Sequence, residues 1–301
     1  MKKYIFFLLV ILLLLIFYLE KTRSCFDGFD LQRVKNINHT YSIIFSLTTS
    51  PKRINKMRDN LASLTLQTMK ANYILLNLPK LYRNETPYVI PKEIKDNKSV
   101  VINRLENDYG PVTKLLGTIL STNKEDDLYI IIVDDDNLYL PQTVENYVQY
   151  INSNKKIAYS LGGFNVKNGK IDVDVQKKDL EKVSVFEGYL SCVFHRSMFD
   201  DDFLDYVKSV IKNDDCKFSD DVIVSNWINA KGIPIYRIYN KKFNRDLWWR
   251  LNCNDCGVEN GDALRDLSQK SYENENDPLG GHSKRYEKVF EYLKENDLYY
   301  F

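Results

Sequence analysis

Three adjacent carboxylates, Asp134, Asp135 and Asp136, are the residues best placed to do chemistry. They end an apolar run, Leu128-Tyr-Ile-Ile-Ile-Val133, that is short, continuous and rich in Ile. Such a run reads as a strand buried on both faces of a parallel sheet. Open α/β sheets bind ligands just beyond the carboxyl ends of their strands, which is where this cluster falls. Carboxylates side by side repel one another, and a bound cation holds them together. Their hard oxygens suit Mg²⁺ or Mn²⁺, ions that commonly bridge protein carboxylates to a substrate's phosphates. An acidic turn after a buried strand is the plainer reading of the same segment.

Two further places hold ionisable residues of interest. Lys114 follows Gly110-Pro111 in the first turn of an expected helix, where backbone N–H groups and a cation can both face a phosphate. A solvated surface lysine is the alternative. Asp220 and Asp221 follow Ser219 at the start of a later helix. Carboxylates there also cap free N–H groups and complement the helix dipole, with no catalysis needed.

The elements that must position these residues can be read from periodicity. Ser42 to Pro51 reads as a first strand running into a polar loop, followed by a helix with Ile54, Met57, Leu61 and Leu64 on one face. Tyr73 to Leu78 and Val100 to Leu105 read as the next strands. Val112, Leu115, Leu116 and Ile119 give the helix after Pro111 its buried face. The helix after Pro141 buries Val144, Tyr147, Val148 and Ile151. Strands alternating with helices from residue 42 to residue 152 predict a parallel sheet wound with helices. The second half is less regular, with strands expected at 157–161, 189–194 and 233–238 and helices at 218–227 and 283–296.

A chain of 301 residues, 44% hydrophobic and 28% charged, can bury a full core. Its net charge of +1 gives no electrostatic footprint for nucleic acid. After Lys2 and Lys3, residues 4–19 are apolar without interruption. As a helix they rise about 24 Å, slightly short of a hydrocarbon core of about 30 Å, and snorkelling lysines cover the difference. The following Ile16-Phe-Tyr-Leu-Glu-Lys lacks the small residues of a cleavage site. Residues 1–23 are therefore expected to be an uncleaved single-pass transmembrane anchor. The two leading lysines favour a cytoplasmic N-terminus and a lumenal body, the type II arrangement. Residues 24–40 read as a short stem and residues 41–301 as the folded body. Five cysteines do not make a disulfide scaffold, and Cys253-Asn-Asp-Cys256 has no second pair to complete a zinc site. Asn38, Asn84 and Asn97 are glycosylation sequons if the body is lumenal.

The arrangement resembles the GT-A glycosyltransferases, nucleotide-sugar-dependent enzymes of α/β class with a Rossmann-like mixed sheet flanked by helices. The resemblance is family-2-like and covers about residues 41–290. Its most specific element is the apolar strand ending in D-x-D, here Asp134-Asp135-Asp136. Asp220-Asp221 is similar to the acidic motif that supplies the base of inverting members, although Glu-Asp is commoner there. His282 is similar to a late histidine that joins the metal shell. The Q-x-x-R-W motif of processive synthases is missing, and Asn244-Arg-Asp-Leu-Trp-Trp249 is only a loose echo of it.

The resemblance implies a donor half at about 41–152 and an acceptor half at about 153–301. Mn²⁺ or Mg²⁺ would rest on Asp134, Asp136 and His282. The nucleotide-sugar would meet Thr48, Thr49, Ser50, Arg53, Lys114, Asp134 and Asp135. Asp221, with Asp220 beside it, would take the proton from the hydroxyl of a glycan, lipid or protein acceptor. Glu187 and Gly188 would border the acceptor cleft, and Trp248 and Trp249 either stack on the acceptor or pack in the core. Two other classes compete. A haloacid-dehalogenase-type phosphatase also uses Asp-x-Asp, but wants Thr or Val where this chain has Leu138, and on its first strand. A tethered binding protein could keep the fold without turnover.

Overall fold

The computed structural model describes residues 40–151, 155–172, 180–239 and 282–301. The first half alternates as the sequence pattern requires: β1 (Ser42–Leu47), α1 (Arg58–Thr65), β2 (Tyr73–Pro79), β3 (Val100–Leu105), α2 (Thr113–Ser121), β4 (Leu128–Ile132) and α3 (Thr143–Val148). The second half continues with β5 (Ala158–Ser160), β6 (Gly163–Lys167), β7 (Lys170–Asp172), β8 (Glu181–Val183), β9 (Val185–Phe186) and β10 (Cys192–His195). It closes with α4 (Asp202–Val210), α5 (Asp220–Ala230), β11 (Ile235–Arg237) and α6 (Ser283–Glu295).

The main sheet has eight strands in the order β8-β11-β5-β10-β4-β1-β2-β3. β1, β2, β3 and β4 are mutually parallel, as expected of strands joined by helices. β10 runs antiparallel between β4 and β5, so the sheet is mixed. A second sheet, β9-β6-β7, is antiparallel.

β4 is buried along its whole length. Alternate residues enter different cores, Ile130 and Ile132 on one face and Tyr129, Ile131 and Val133 on the other. Burial on both faces explains why the run reads as continuous rather than alternating.

Direction within the sheet decides what meets at its ligand edge. β1 and β4 end there, delivering Thr48–Ser50 and Asp134–Asp136. Because β10 is reversed, with Cys192 opposite Ile132, the residues before β10 lie at the same edge. β5 ends beside them, Ser160 opposite Cys192.

Some expectations needed correction. The strand expected over 189–194 begins only at Cys192, because Gly188–Leu190 winds as a 3₁₀ turn and Ser191 then adopts φ +88°. The helix expected at 218–227 runs from Asp220 to Ala230. β6 to β9 and α4 were not legible in advance. Among the described residues no helix is long and apolar enough to cross a membrane. The expected anchor lies outside those residues, as do Asn38, Cys25, Cys253, Cys256, Trp248 and Trp249.

Candidate active site

The three strand-end aspartates are not equivalent. Asp135 turns inward, 7% exposed, and accepts a hydrogen bond from the Thr49 hydroxyl. Asp134 and Asp136 keep 29% and 24% of their side-chain surface open. The Arg53 guanidinium reaches Asp135 at 2.5 Å and Asp136 at 2.7 Å. Burial pushes the Asp135 pKa up to about 7 against the opposing pull of Arg53, and Asp136 is raised in the same way.

Lys114 is the second cation. Its side chain is 6% exposed, which rules out the solvated surface lysine. The ammonium lies 2.6 Å from Asp134 and 2.9 Å from Asp220, so one charge ties the strand-end cluster to the late helix. Burial alone would lower its pKa, but Asp134, Asp220 and Asp221 outweigh burial and hold it well above the usual lysine value. A polar spine under the site fixes its backbone. The Ser46 hydroxyl donates to the Lys114 carbonyl. Asn77 donates to the same carbonyl at 3.1 Å and to Ser46 at 2.9 Å. Ser46 and Asn77 are completely buried in β1 and β2, where an apolar residue would otherwise be expected.

The loop after β4 is held on every side. Asn60, from α1, donates to the carbonyls of Asp134 at 2.9 Å and Asn137 at 2.7 Å. The Asp134 amide donates to the Tyr139 hydroxyl at 2.7 Å, and that hydroxyl donates onward to the Tyr189 carbonyl at 3.2 Å. Asn137 donates to the same carbonyl at 2.9 Å. Across the edge, Tyr88 donates to the Thr49 carbonyl at 2.7 Å.

Asp220 and Asp221 do not cap their helix through their side chains, and the Ser219 hydroxyl makes no capping bond either. Asp220 pairs with Lys114 instead. Asp221 is half-buried and accepts from the Gly188 amide at 3.0 Å. Burial first, then the Asp220 carboxylate, push its pKa well above the ordinary range. Gly188 is needed for space: a Cβ there would stand 2.5 Å from Asp221 Oδ1 and 3.5 Å from Lys114 Nζ.

His282 precedes α6 and stacks on Tyr286, ring centroids 5.6 Å apart. Tyr286 in turn feels burial and the carboxylates of Asp221, Asp220 and Glu187, which raise its pKa well above the usual phenol value. His282 therefore sits one ring away from the late acidic pair. Among the described residues no group of three or more His, Cys, Asp or Glu side chains is arranged to hold a metal ion. The oxygens of Asp134 and Asp136 nonetheless suit a hard cation, which needs only one or two carboxylates when phosphates and water complete its shell.

The structure thus gathers Thr49, Arg53, Lys114, Asp134, Asp135, Asp136, Asp220 and Asp221 at one sheet edge, with Thr48 and Ser50 on the adjoining loop. Sequence reasoning missed Ser46, Asn60, Asn77, Tyr88, Asn137 and Tyr139. The readable signal was a polar residue inside an apolar strand, at Ser46 and Asn77, or beside Leu61 on a helix face, at Asn60.

No protein-family model matches the chain, and no curated protein matches it in sequence. Among solved structures, the chain is similar to the mannosyltransferase PcManGT from Pyrobaculum calidifontis, determined in complex with GDP-Man and Mn²⁺. The TM-score is 0.40 at 11% identity, over 86% of this chain and 72% of that one, a likeness too slight to assign an activity.

Proposed function

We propose that this chain is a glycosyltransferase that moves a sugar from a nucleotide-sugar donor to an acceptor hydroxyl with inversion. The observation that carries this reading is the Lys114 bridge, which brings two separate acidic groups to the ligand edge of the sheet. One group suits a leaving diphosphate and its cation; the other holds a carboxylate suited to taking a proton.

In this reading Asp134 and Asp136, whose side chains stay partly open, would hold Mn²⁺ or Mg²⁺. Such an ion supplies Lewis-acid stabilisation of the charge developing on the diphosphate. The chain's own residues do the rest. Asp135, bound to Thr49 and Arg53, keeps the loop rigid rather than meeting the ion. The Thr48–Ser50 loop borders the nucleotide, and Tyr88 fixes its backbone. Asp221 accepts the acceptor's proton, its basicity raised by burial and its direction set by the Gly188 amide. His282, stacked on the buried Tyr286 near Asp220 and Asp221, would stand on the acceptor side. Residues 4–19 would hold the enzyme at a membrane, body lumenal, with a glycan, lipid or protein as acceptor.

The test is direct. The purified full chain with Mn²⁺ is offered a panel of nucleotide sugars, GDP-mannose among them, and nucleoside diphosphate release is followed with and without EDTA. Release from one donor class, abolished by EDTA, is expected. A chain that binds no donor refutes the reading; one that binds but never turns over is a binding protein.

A further inference from the structure

One residue near the site stands in a backbone conformation that side chains avoid. Ser191 has φ +88° and ψ 151°, a region occupied almost only by glycine, and it is completely buried. Strain of this kind persists only where the surroundings over-determine it. Here they do. The Ser191 amide donates to the Gly188 carbonyl at 2.9 Å. Its carbonyl accepts from the Leu161 amide at 3.3 Å and from the Ser160 hydroxyl at 3.1 Å. Its hydroxyl shares a 2.8 Å hydrogen bond with Tyr147 of α3.

What this residue closes is the Gly188–Leu190 turn. Two consecutive residues of that turn face opposite halves of the site. The Gly188 amide holds Asp221, while the Tyr189 carbonyl holds Asn137 and Tyr139, and Tyr139 holds the Asp134 amide. A single short turn therefore sets the position of Asp221 against that of the strand-end loop.

We propose that Ser191 is a positioning residue: its buried, hydrogen-bonded anchorage locks the Gly188–Leu190 turn despite the strain, and the turn fixes the Asp221 carboxylate relative to Asp134 and its neighbours. This rests on the transfer reading above, in which both groups act on one substrate pair. Packed with no surface open and bonded through its hydroxyl to Tyr147, the Ser191 side chain is anchored, and it holds the backbone at a φ that its own Cβ disfavours. A glycine would accept the same φ without strain but would lack the side chain that anchors it.

The experiment compares Ser191→Gly and Ser191→Ala in the full chain. For Ser191→Gly, Tm is expected to match or exceed that of the parent, because relief of strain offsets loss of the Tyr147 bond. Its kcat should fall at least about tenfold while donor KM stays within about twofold, the signature of lost alignment rather than lost binding. The Gly188 amide, followed by hydrogen exchange, should exchange at least about tenfold faster. Ser191→Ala keeps the packed Cβ and the strain but loses the Tyr147 bond, so its Tm should fall below the parent's while its kcat lies above that of Ser191→Gly. Opposite orderings in Tm and kcat are the result expected. A Ser191→Gly chain with parental kcat and parental Gly188 exchange overturns the proposal, as does one whose Tm and kcat fall together. If the parent transfers no sugar at all, the transfer reading fails, and Gly188 exchange in the same variants still decides whether Ser191 locks the turn.

Discussion

The Arg53 guanidinium lies 2.7 Å from the Asp136 carboxylate, while Lys114 lies 2.6 Å from Asp134 two residues earlier. Two protein cations thus compensate carboxylates that a divalent ion would otherwise have to hold together. Removing one partner of a buried ion pair costs about 3–5 kcal/mol, because the other charge is left uncompensated. Arg53→Ala, leaving Asp135 and Asp136 unpaired, is expected to lose stability toward the lower end of that range. Mn²⁺ should raise the Tm of this variant more than that of the parent. Equal thermal shifts with Mn²⁺ would separate Arg53 from the cation site.

Asp136→Asn removes one of the two open carboxylates. Mn²⁺-dependent donor binding should weaken at least about tenfold, or about 1.4 kcal/mol, in calorimetry. Undiminished binding, or binding indifferent to EDTA, would sink the metal assignment.

Asp221→Asn keeps shape and removes basicity. A general base contributes about 10² to 10⁴ in rate, so kcat should fall by at least the lower figure with little change in donor affinity. The acid limb of the parent's kcat/KM profile should lie above the ordinary carboxylate range, since burial and Asp220 raise the Asp221 pKa. Gly188→Ala should mimic the loss, because its Cβ displaces the Asp221 carboxylate. A product that retains the donor's anomeric configuration contradicts the base role.

Acid stability should depend on a histidine far from the site. His195 is buried; its Nδ1 accepts from the Ser197 amide at 3.2 Å and its Nε2 faces Asp127 at 3.1 Å. Burial lowers its pKa, helped by Lys155 and opposed by Asp127. The unfolded chain therefore takes up a proton near the ordinary histidine value of 6.5 before the folded chain does. Stability should decline as pH falls below that value, until the lower folded pKa is passed. His195→Gln should flatten this slope in denaturant titrations, and an unchanged slope would assign it elsewhere.

Residues 4–19 make a separate prediction. After alkaline extraction of membranes, the chain should remain in the pellet and still begin at Met1 or Lys2. A soluble product starting beyond residue 20 would make the segment a cleaved signal.

Much of the fold was legible because burial writes itself into periodicity. β1, β2, β3 and β4 are apolar runs between amphipathic helices, and their order alone implies parallel pairing. β10 was harder, since nothing in Cys192-Val-Phe-His195 says that it runs backward between β4 and β5. Strand direction is decided by partners, not by the strand's own residues. The same limit governs the site. Asp134–Asp136 could be read from adjacency, but the contact between Lys114 and Asp220 spans 106 positions and leaves no local trace. Capping was the local expectation for Asp220, and a distant ammonium won.

The Tyr189 carbonyl that receives Asn137 and Tyr139 lies 52 and 50 residues further along the chain. A ribosome makes the strand-end loop first, so the nascent loop emerges with those side-chain hydrogens not yet on the Tyr189 carbonyl. That contact waits until β10 threads between two strands already synthesised. Assembly of the acidic centre is consequently a late event, and a polypeptide truncated before residue 188 would carry the strand-end aspartates in a loop tied by Asn60, Thr49, Arg53 and Lys114 but without the Tyr189 carbonyl.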